Sequence, residues 1–112
     1  MRDYKLYLED ILKAIGKIEK YTKGMDFKKL KRNGLVTDGA IRNLEIIGEA
    51  VKKMPGSIKK EYSDIEWKKI SGLRDILAHE YFGVDLAVLW DIISNKLPEL
   101  KIQISTLLKE MK

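Results

Sequence analysis

Residues 4–20, YKLYLEDILKAIGKIEK, determine the fold class. Their apolar residues recur at intervals of three or four, and most of the charged residues fall between them. The repeated positions are Tyr4, Leu8, Ile11, Ile15 and Ile18. On a helix of about 3.6 residues per turn, that spacing aligns the apolar side chains in one stripe. The stretch therefore predicts an amphipathic helix, and Gly24 is expected to end it.

A second amphipathic segment follows a short polar stretch. Asn33-Gly34 is predicted to supply left-handed backbone conformations at a stop, and Thr37 or Asp38 to cap the next helix. The positions predicted to be buried on that helix are Ile41, Leu44, Ile47 and Val51. The sequence MPG at 54–56 is expected to end it.

The C-terminal half repeats the helical periodicity. Ser63 and Glu66 have the spacing of a capping box, which predicts a third helix that runs to about Tyr81. Asp85 is predicted to cap a fourth helix, and Pro98 either opens a fifth helix or kinks a long one. The inward positions predicted on these last helices are Leu86, Leu89, Trp90, Ile93, Leu100, Ile104, Leu107, Leu108 and Met111.

Short connections between amphipathic segments, without an alternating strand pattern, predict an all-α fold. We expect an antiparallel up-and-down bundle of four to five helices. The 112 residues suffice for one domain, residues 1–112. The N-terminal stretch is rich in charges and no apolar run reaches about 18 residues, so we expect a soluble, cytoplasmic protein without a signal peptide or membrane span.

The composition restricts the chemistry. The chain has no cysteine and one histidine, so it cannot build a disulfide framework or a multi-histidine zinc site, and we expect no metal and no other cofactor. The net charge of +5 is uneven, because residues 17–32 carry seven Lys or Arg against Glu19 and Asp26. Such a run is either a solvated helix end or a surface that contacts phosphates.

The stretch GLRDILAHEYFG, residues 72–83, contains the single histidine. Arg74 interrupts an otherwise apolar side of the predicted third helix, and an unpaired buried guanidinium costs several kcal/mol, so a partner must face it. His79 lies about 140° further round that helix, one turn from Asp75, which could orient the imidazole. A two-fold dimer would bring two Arg74 and two His79 side chains around one cleft.

These residue types suit cleavage of RNA by its own 2′-hydroxyl. The reaction needs a base for that proton, an acid for the leaving 5′-oxygen and a cation for the phosphate. Histidine can fill either proton role, and the arginine fork suits phosphate oxygens. From spacing alone, a surface or hydrogen-bonded core histidine beside an ordinary Arg–Asp ion pair explains the same residues.

Three blocks in order resemble the HEPN superfamily, and within it the HepT branch, the toxin half of MNT/HepT toxin–antitoxin systems. Arg74, His79 and Tyr81 form the R-x4-H-x-Y signature of that superfamily. The resembling blocks are AIRNLEIIGEAVKK at 40–53, Trp67 with ISGLRDILAHEYFGVD at 70–85, and LWDII at 89–93 with LPEL at 97–100. The resemblance as a whole extends over nearly the whole chain.

The resemblance implies a helical bundle that dimerises around the motif helix and cleaves RNA without a metal. Arg74 and His79 would be the catalytic residues, and Asp75 a supporting polar residue. The implied partner is a small MNT-type nucleotidyltransferase antitoxin, with which the homodimer could form a larger hetero-oligomer. In similar systems that enzyme attaches AMP to the motif tyrosine, here Tyr81, and the modification would block the site that RNA occupies.

Other readings remain open. The same dimer could be a non-catalytic scaffold that regulates the nucleotidyltransferase, or a nucleotide-binding HEPN domain of another function. Arg42 and Glu49 lie seven apart on one helix face and line the cleft, pair with the motif helix, or form an ordinary solvated or interfacial ion pair, which is the expected case. Trp67 and Trp90 are expected in the core or a dimer interface.

Overall fold

A computed structural model gives the backbone of residues 3–79 and 85–111, and the side chains of residues 3–73 and 85–111. Throughout these ranges the regular secondary structure is helical, and no strand is present. None of the helices in them is both long enough and apolar enough to cross a membrane. The all-α fold class expected from the sequence is confirmed.

Within the described ranges, seven α-helices and one π-helical turn follow each other in sequence. They are α1 (Tyr4–Thr22), α2 (Phe27–Lys31), α3 (Gly34–Lys52), α4 (Gly56–Glu61), α5 (Trp67–His79), α6 (Leu86–Asp91), the π turn (Ile92–Lys96) and α7 (Leu97–Glu110). The π turn joins α6 to α7 without a break, so four long helical segments build the bundle: α1, α3, α5 and the continuous α6–α7 segment.

The long helices α1 and α7 run antiparallel. Near the end of α1, the Glu19 carboxylate lies 2.9 Å from Lys101 Nζ in the first turns of α7. At the other end, Tyr62 lies close to both Tyr4 in α1 and Glu110 in α7, and burial together with the Glu110 carboxylate raises the pKa of Tyr62. The start of one helix therefore meets the end of the other, as an up-and-down bundle requires.

The apolar stripe of α1 lies in the centre of the core. The fully buried large side chains of the described ranges are Leu8, Ile11, Ile15, Ile18, Leu30, Leu44, Ile47, Val51, Leu89, Ile104 and Leu107. Most of the predicted inward positions are therefore confirmed as buried. Seven others are only half-buried and pack against this core, namely Tyr4, Ile41, Leu86, Trp90, Ile93, Leu108 and Met111. Burial of side chains of this size contributes roughly 1.5–3 kcal/mol each, which makes this core the main source of stability.

The predicted starts of two helices were wrong. Asn33 caps α3, because its Oδ1 accepts a hydrogen bond from Val36 N at 3.1 Å, so the helix begins at Gly34 and not after Thr37 or Asp38. Asn33 has φ −119°, and Gly24 alone among the described residues has a positive φ, at 75°. The Asn33-Gly34 pair thus starts a helix, whereas Gly24 follows the end of α1 as predicted.

Helix α5 begins at Trp67, four residues after the predicted cap Ser63. The intervening residues form a turn in which Ile65 N donates to Tyr62 O at 3.1 Å. Burial of Ile65 and Trp67 in the core favours this turn over the capping box that the sequence suggested. The short helices α2 and α4 were not predicted either, since neither carries a long apolar stripe.

The predicted cap Asp85 is confirmed, and Pro98 lies in the first turn of α7. Asp85 Oδ1 accepts hydrogen bonds from Ala87 N at 2.9 Å and Val88 N at 3.4 Å. Just before Pro98, Leu97 N donates to Ile92 O, five residues back, in the wider π pattern. Proline cannot donate to the helix ladder and crowds the preceding carbonyls, and the wider turn accommodates it within one long helix.

Candidate functional site

The sequence-predicted catalytic positions share one uninterrupted helix. Helix α5 runs from Trp67 to His79 and therefore contains Arg74, Asp75 and His79. Their side chains, and the whole of Tyr81, lie outside the described residues. The shared helix fixes the angular offset between positions 74 and 79 at about 140°, as the sequence argument required.

The first turn of α5 is anchored in the core. Trp67 is 6% exposed, and its indole Nε1 donates to Tyr62 O at 3.0 Å. Ile70 and Leu73 pack half-buried against the core, and α5 contacts α3. The expectation that Trp67 is a core residue is confirmed, and half-buried Trp90 packs against the same core. The first turns of the motif helix are thus fixed in position by their contacts with the core.

A cavity of about 310 Å³ lies along α5 immediately before the motif. Apolar side chains of α3, α5 and the α6–α7 segment line it, including Ile47, Ile70, Leu73, Ile92 and Leu100. Leu73 is the residue directly before Arg74. The cavity is therefore a neighbour of the motif helix, and its lining combines these apolar side chains with polar ones, namely Glu66, Lys69, Asp91, Lys96, Glu99 and Gln103.

Two of the charged residues that line this cavity, Glu66 and Lys69, form an exposed ion pair. Lys69 Nζ lies 2.7 Å from Glu66 Oε2, and both side chains are solvent-accessible. The hydrogen bond from Lys69 lowers the pKa of the Glu66 carboxyl, and the same contact raises the pKa of Lys69. Such an exposed pair contributes little to stability, and the contact further favours the charged form of each group.

A second cleft, of about 330 Å³, lies between α1 and α3 and is lined by charged groups. Arg42 and Glu49 both line it, which confirms that these two residues occupy one face of their helix. Tyr7 and Asp10 face them from α1, and sequence reasoning did not identify either residue as part of a site. Their spacing of three residues is a weak signal, since it shows only that they share a side of α1.

Acidic and basic groups are mixed in this charged cleft. The remaining lining residues are Glu45, Ile46, Ala50 and Lys53. No group of three or more His, Cys, Asp and Glu side chains within the described ranges is arranged to hold a metal ion. The described part of the cleft therefore offers carboxylate, cationic and hydroxyl groups beside α3, the helix that α5 packs against.

The helical bundle, with positions 74 and 79 of the R-x4-H-x-Y sequence on α5, defines the class of protein as HEPN-like. A family model described as "Ribonuclease HepT-like" matches residues 11–107. The chain belongs to this HepT-like family of the HEPN superfamily. No solved structure matches the chain.

Relatives of similar length share about two-fifths of the sequence. "Putative RNase MJ0125" of Methanocaldococcus jannaschii is 40% identical over 98% of this chain and 95% of its own length. "Probable ribonuclease HepT" of Thermococcus cleftensis is 42% identical over 89% of this chain and 91% of its own length. "Putative RNase TTE0752" of Caldanaerobacter subterraneus subsp. tengcongensis is 38% identical over 100% of both chains.

Proposed function

We propose that this protein is an endoribonuclease of the HepT type, and that it is the toxin of a toxin–antitoxin pair. Membership of the HepT-like family and relatives named as ribonucleases support RNA as the substrate. One observation supports the assignment of this function to particular residues. Arg74 and His79 lie at the family spacing on the unbroken helix α5, whose first turn packs in the core.

The proposed reaction is a metal-independent transesterification. A histidine accepts the proton of the RNA 2′-hydroxyl, the 2′-oxygen forms a bond to phosphorus, and the bond from phosphorus to the 5′-oxygen breaks. A second proton donor protonates the departing 5′-oxygen, which gives a 5′-hydroxyl end and a 2′,3′-cyclic phosphate end. Arg74 stabilises the negative charge that collects on the phosphate oxygens, with Asp75 as a supporting polar residue.

A two-fold dimer supplies the two proton-transfer groups. One helix directs positions 74 and 79 about 140° apart, whereas two copies of α5 around a shared cleft bring an arginine and a histidine from each chain together. One His79 then acts as base while the other acts as acid. The dimer is part of the proposal, and mutation of either residue should abolish cleavage without changing the assembly.

Neutralisation is proposed to occur at Tyr81. A partner nucleotidyltransferase would transfer AMP from ATP: the tyrosine oxygen attacks the α-phosphorus, and pyrophosphate leaves. The added phosphodiester and adenosine would then compete with RNA for the cationic groups of the cleft. A larger hetero-oligomer of the dimer with this antitoxin fits the same scheme.

The test of the nuclease uses protein purified without its partner and incubated with total RNA in EDTA. The control is the Arg74→Ala/His79→Ala protein, matched for helicity and molecular mass in solution. We expect cleavage by the wild type alone. If neither protein cuts RNA while intact mass shows Tyr81 unmodified, the nuclease proposal is wrong, and the alternative of a non-catalytic scaffold for the nucleotidyltransferase replaces it.

The modification is tested separately with a purified MNT-type nucleotidyltransferase and ATP. We expect the intact mass to increase by adenylyl units in the wild type and to stay unchanged in Tyr81→Phe. Tyr62→Phe is the matched control and should be modified normally. Modification of Tyr81→Phe would refute the assignment of the site, and unchanged ribonuclease activity after full modification would refute neutralisation by this route.

A further inference from the structure

Seven exposed basic side chains lie within residues 17–32, at the junction of α1 and α2, and are here called the α1–α2 basic surface. Its members are Lys17, Lys20, Lys23, Lys28, Lys29, Lys31 and Arg32, and all of them are exposed. The first two lie in the last turns of α1, Lys23 is its C-cap, and the last four lie on or directly after α2.

The two carboxylates within residues 17–32, Glu19 and Asp26, both have partners in the structure. Glu19 is drawn to Lys101 of α7, at 2.9 Å. Asp26 Oδ1 accepts a hydrogen bond from Lys29 N at 2.8 Å and caps α2. Among the residues that the structure describes, none of the seven basic side chains forms an ion pair. The surface therefore keeps its positive charge.

Helix α2 fixes the orientation of its cations. Leu30 is 0% exposed, and the Thr37 hydroxyl donates to Leu30 O at 3.2 Å. At about 100° per residue, the four basic positions 28, 29, 31 and 32 occupy an arc of about 160°, whose centre is opposite Leu30. The one buried residue thus leaves all four basic side chains on the exposed side of α2, where Lys31 Nζ also lies 5.2 Å from the centre of the Phe27 ring.

The surface lies next to the element that follows the motif. Helix α2 contacts α6, which begins directly after its cap Asp85. Six residue steps separate Asp85 from His79, the last residue of α5, and a chain of that length spans at most about 22 Å. A bound strand a few nucleotides long could therefore contact both α2 and the motif helix.

We propose that the α1–α2 basic surface binds the phosphodiester backbone of single-stranded RNA and directs it to the motif helix. The inference rests on the proposed ribonuclease function. Single-stranded RNA is favoured over an acidic protein because lysine is depleted in protein–protein interfaces, whereas flexible lysines that release counterions are typical of backbone contacts. Binding of this kind is tolerant of sequence and weakens steeply with salt.

The experiment measures binding of a labelled 2′-O-methyl RNA, which lacks the attacking hydroxyl, by fluorescence polarisation across a KCl series. The test variant is Lys28→Gln/Lys29→Gln/Lys31→Gln. The control is Lys52→Gln/Lys60→Gln/Lys109→Gln, three exposed lysines on other elements. Both variants lower the net charge from +5 by three, to +2. Glutamine preserves helix propensity, so α2 should remain folded.

For the test variant we expect the slope of log K against log salt to fall by about 2, at roughly 0.7 per lost phosphate contact, with at least about a tenfold loss of affinity near 0.1 M salt. The control should stay within about twofold of wild type. Equal losses in both variants, or no loss in either, would overturn the proposal. Unchanged RNA affinity with lost binding to the nucleotidyltransferase would assign the surface to an acidic protein instead.

Cleavage of unmodified RNA by the wild type is measured in parallel. If the test variant has a smaller salt slope than the wild type but the wild type cuts no RNA, the binding surface is supported and the nuclease is refuted. If the wild type cuts RNA but the two slopes are equal, the nuclease is supported and the binding surface is refuted. The two proposals can therefore fail separately.

Discussion

Glu19 and Lys101 meet across the bundle at 2.9 Å, and this contact joins the end of α1 to the start of α7. Both side chains are about half exposed, at 46% and 49%. Because the Glu19 carboxylate pairs with Lys101, it is engaged away from Lys20 and Lys23, which lie close to it in sequence and belong to the basic surface. This ion pair therefore connects α1 to α7 and also engages a carboxylate that would otherwise offset the positive charge of the α1–α2 basic surface.

The Glu19–Lys101 pair should couple weakly and depend on salt. In a double-mutant cycle with Glu19→Gln and Lys101→Gln, we expect a coupling free energy of about 0.2–1 kcal/mol, because water screens a half-exposed pair. Urea unfolding of the four proteins at low and high salt gives the value. A coupling that does not decrease at high salt would contradict a solvent-screened contact.

Trp67 is expected to be the largest single contributor to the stability of the motif helix. Trp67→Ala should lower the free energy of unfolding by about 3–5 kcal/mol, since it empties a buried site. Trp67→Phe keeps most of the volume but removes the donor to Tyr62 O, and should cost about 1–3 kcal/mol. Urea unfolding of both variants measures the difference. Equal losses would mean that the hydrogen bond, rather than the packing, dominates.

Two substitutions of Asp26 distinguish its role as the cap of α2 from the effect of its negative charge on RNA binding. Asp26→Asn preserves a side-chain cap and removes a negative charge from the basic surface, so RNA affinity should rise, by up to about fivefold for a unit charge near 4 Å in water. Asp26→Ala removes the same charge but also the cap, at a cost of about 1 kcal/mol in stability. Fluorescence polarisation and urea unfolding report the two effects. A fall in RNA affinity for Asp26→Asn would argue against phosphate binding here.

The Glu66–Lys69 pair gives a pH test at the start of the motif helix. Because the hydrogen bond from Lys69 lowers the pKa of Glu66, the stability contributed by this carboxylate is complete above its ordinary pKa of 4.5 and is lost as pH falls through the lowered value. A ¹³C NMR titration should show a higher midpoint for Glu66 in Lys69→Gln than in wild type. Lys68→Gln, at an exposed neighbouring position, should leave the midpoint where it was.

The sequence predicted the elements that depend on a local pattern. The stripe of α1 is buried as expected because an amphipathic helix of this length has only one apolar face to bury. The start of α3 was misplaced because Thr37, taken as a cap, instead donates its hydroxyl to Asn33 O at 3.0 Å and Leu30 O at 3.2 Å inside the first turns. Helix α2 was missed because Leu30 is its one buried residue.

The candidate site was predictable only in part, for a physical reason. Position along one helix follows from sequence spacing, so the placement of Arg74 and His79 on α5 is confirmed. Contacts between helices depend on how the bundle packs, and no pattern within α1 shows that Tyr7 and Asp10 face Arg42 across a cleft. The catalytic roles of Arg74 and His79, and the modification of Tyr81, stay predictions.

The central claim is that the 2′-hydroxyl of RNA attacks the adjacent phosphate. The most direct measurement uses a short RNA that the wild type cuts in EDTA, compared with the same RNA carrying one 2′-deoxy sugar at the cleaved position. We expect the unmodified RNA to give a 2′,3′-cyclic phosphate and a 5′-hydroxyl end, and the deoxy substitution to abolish cleavage there. Cleavage at the 2′-deoxy position, or products with 3′-hydroxyl and 5′-phosphate ends, would contradict the mechanism.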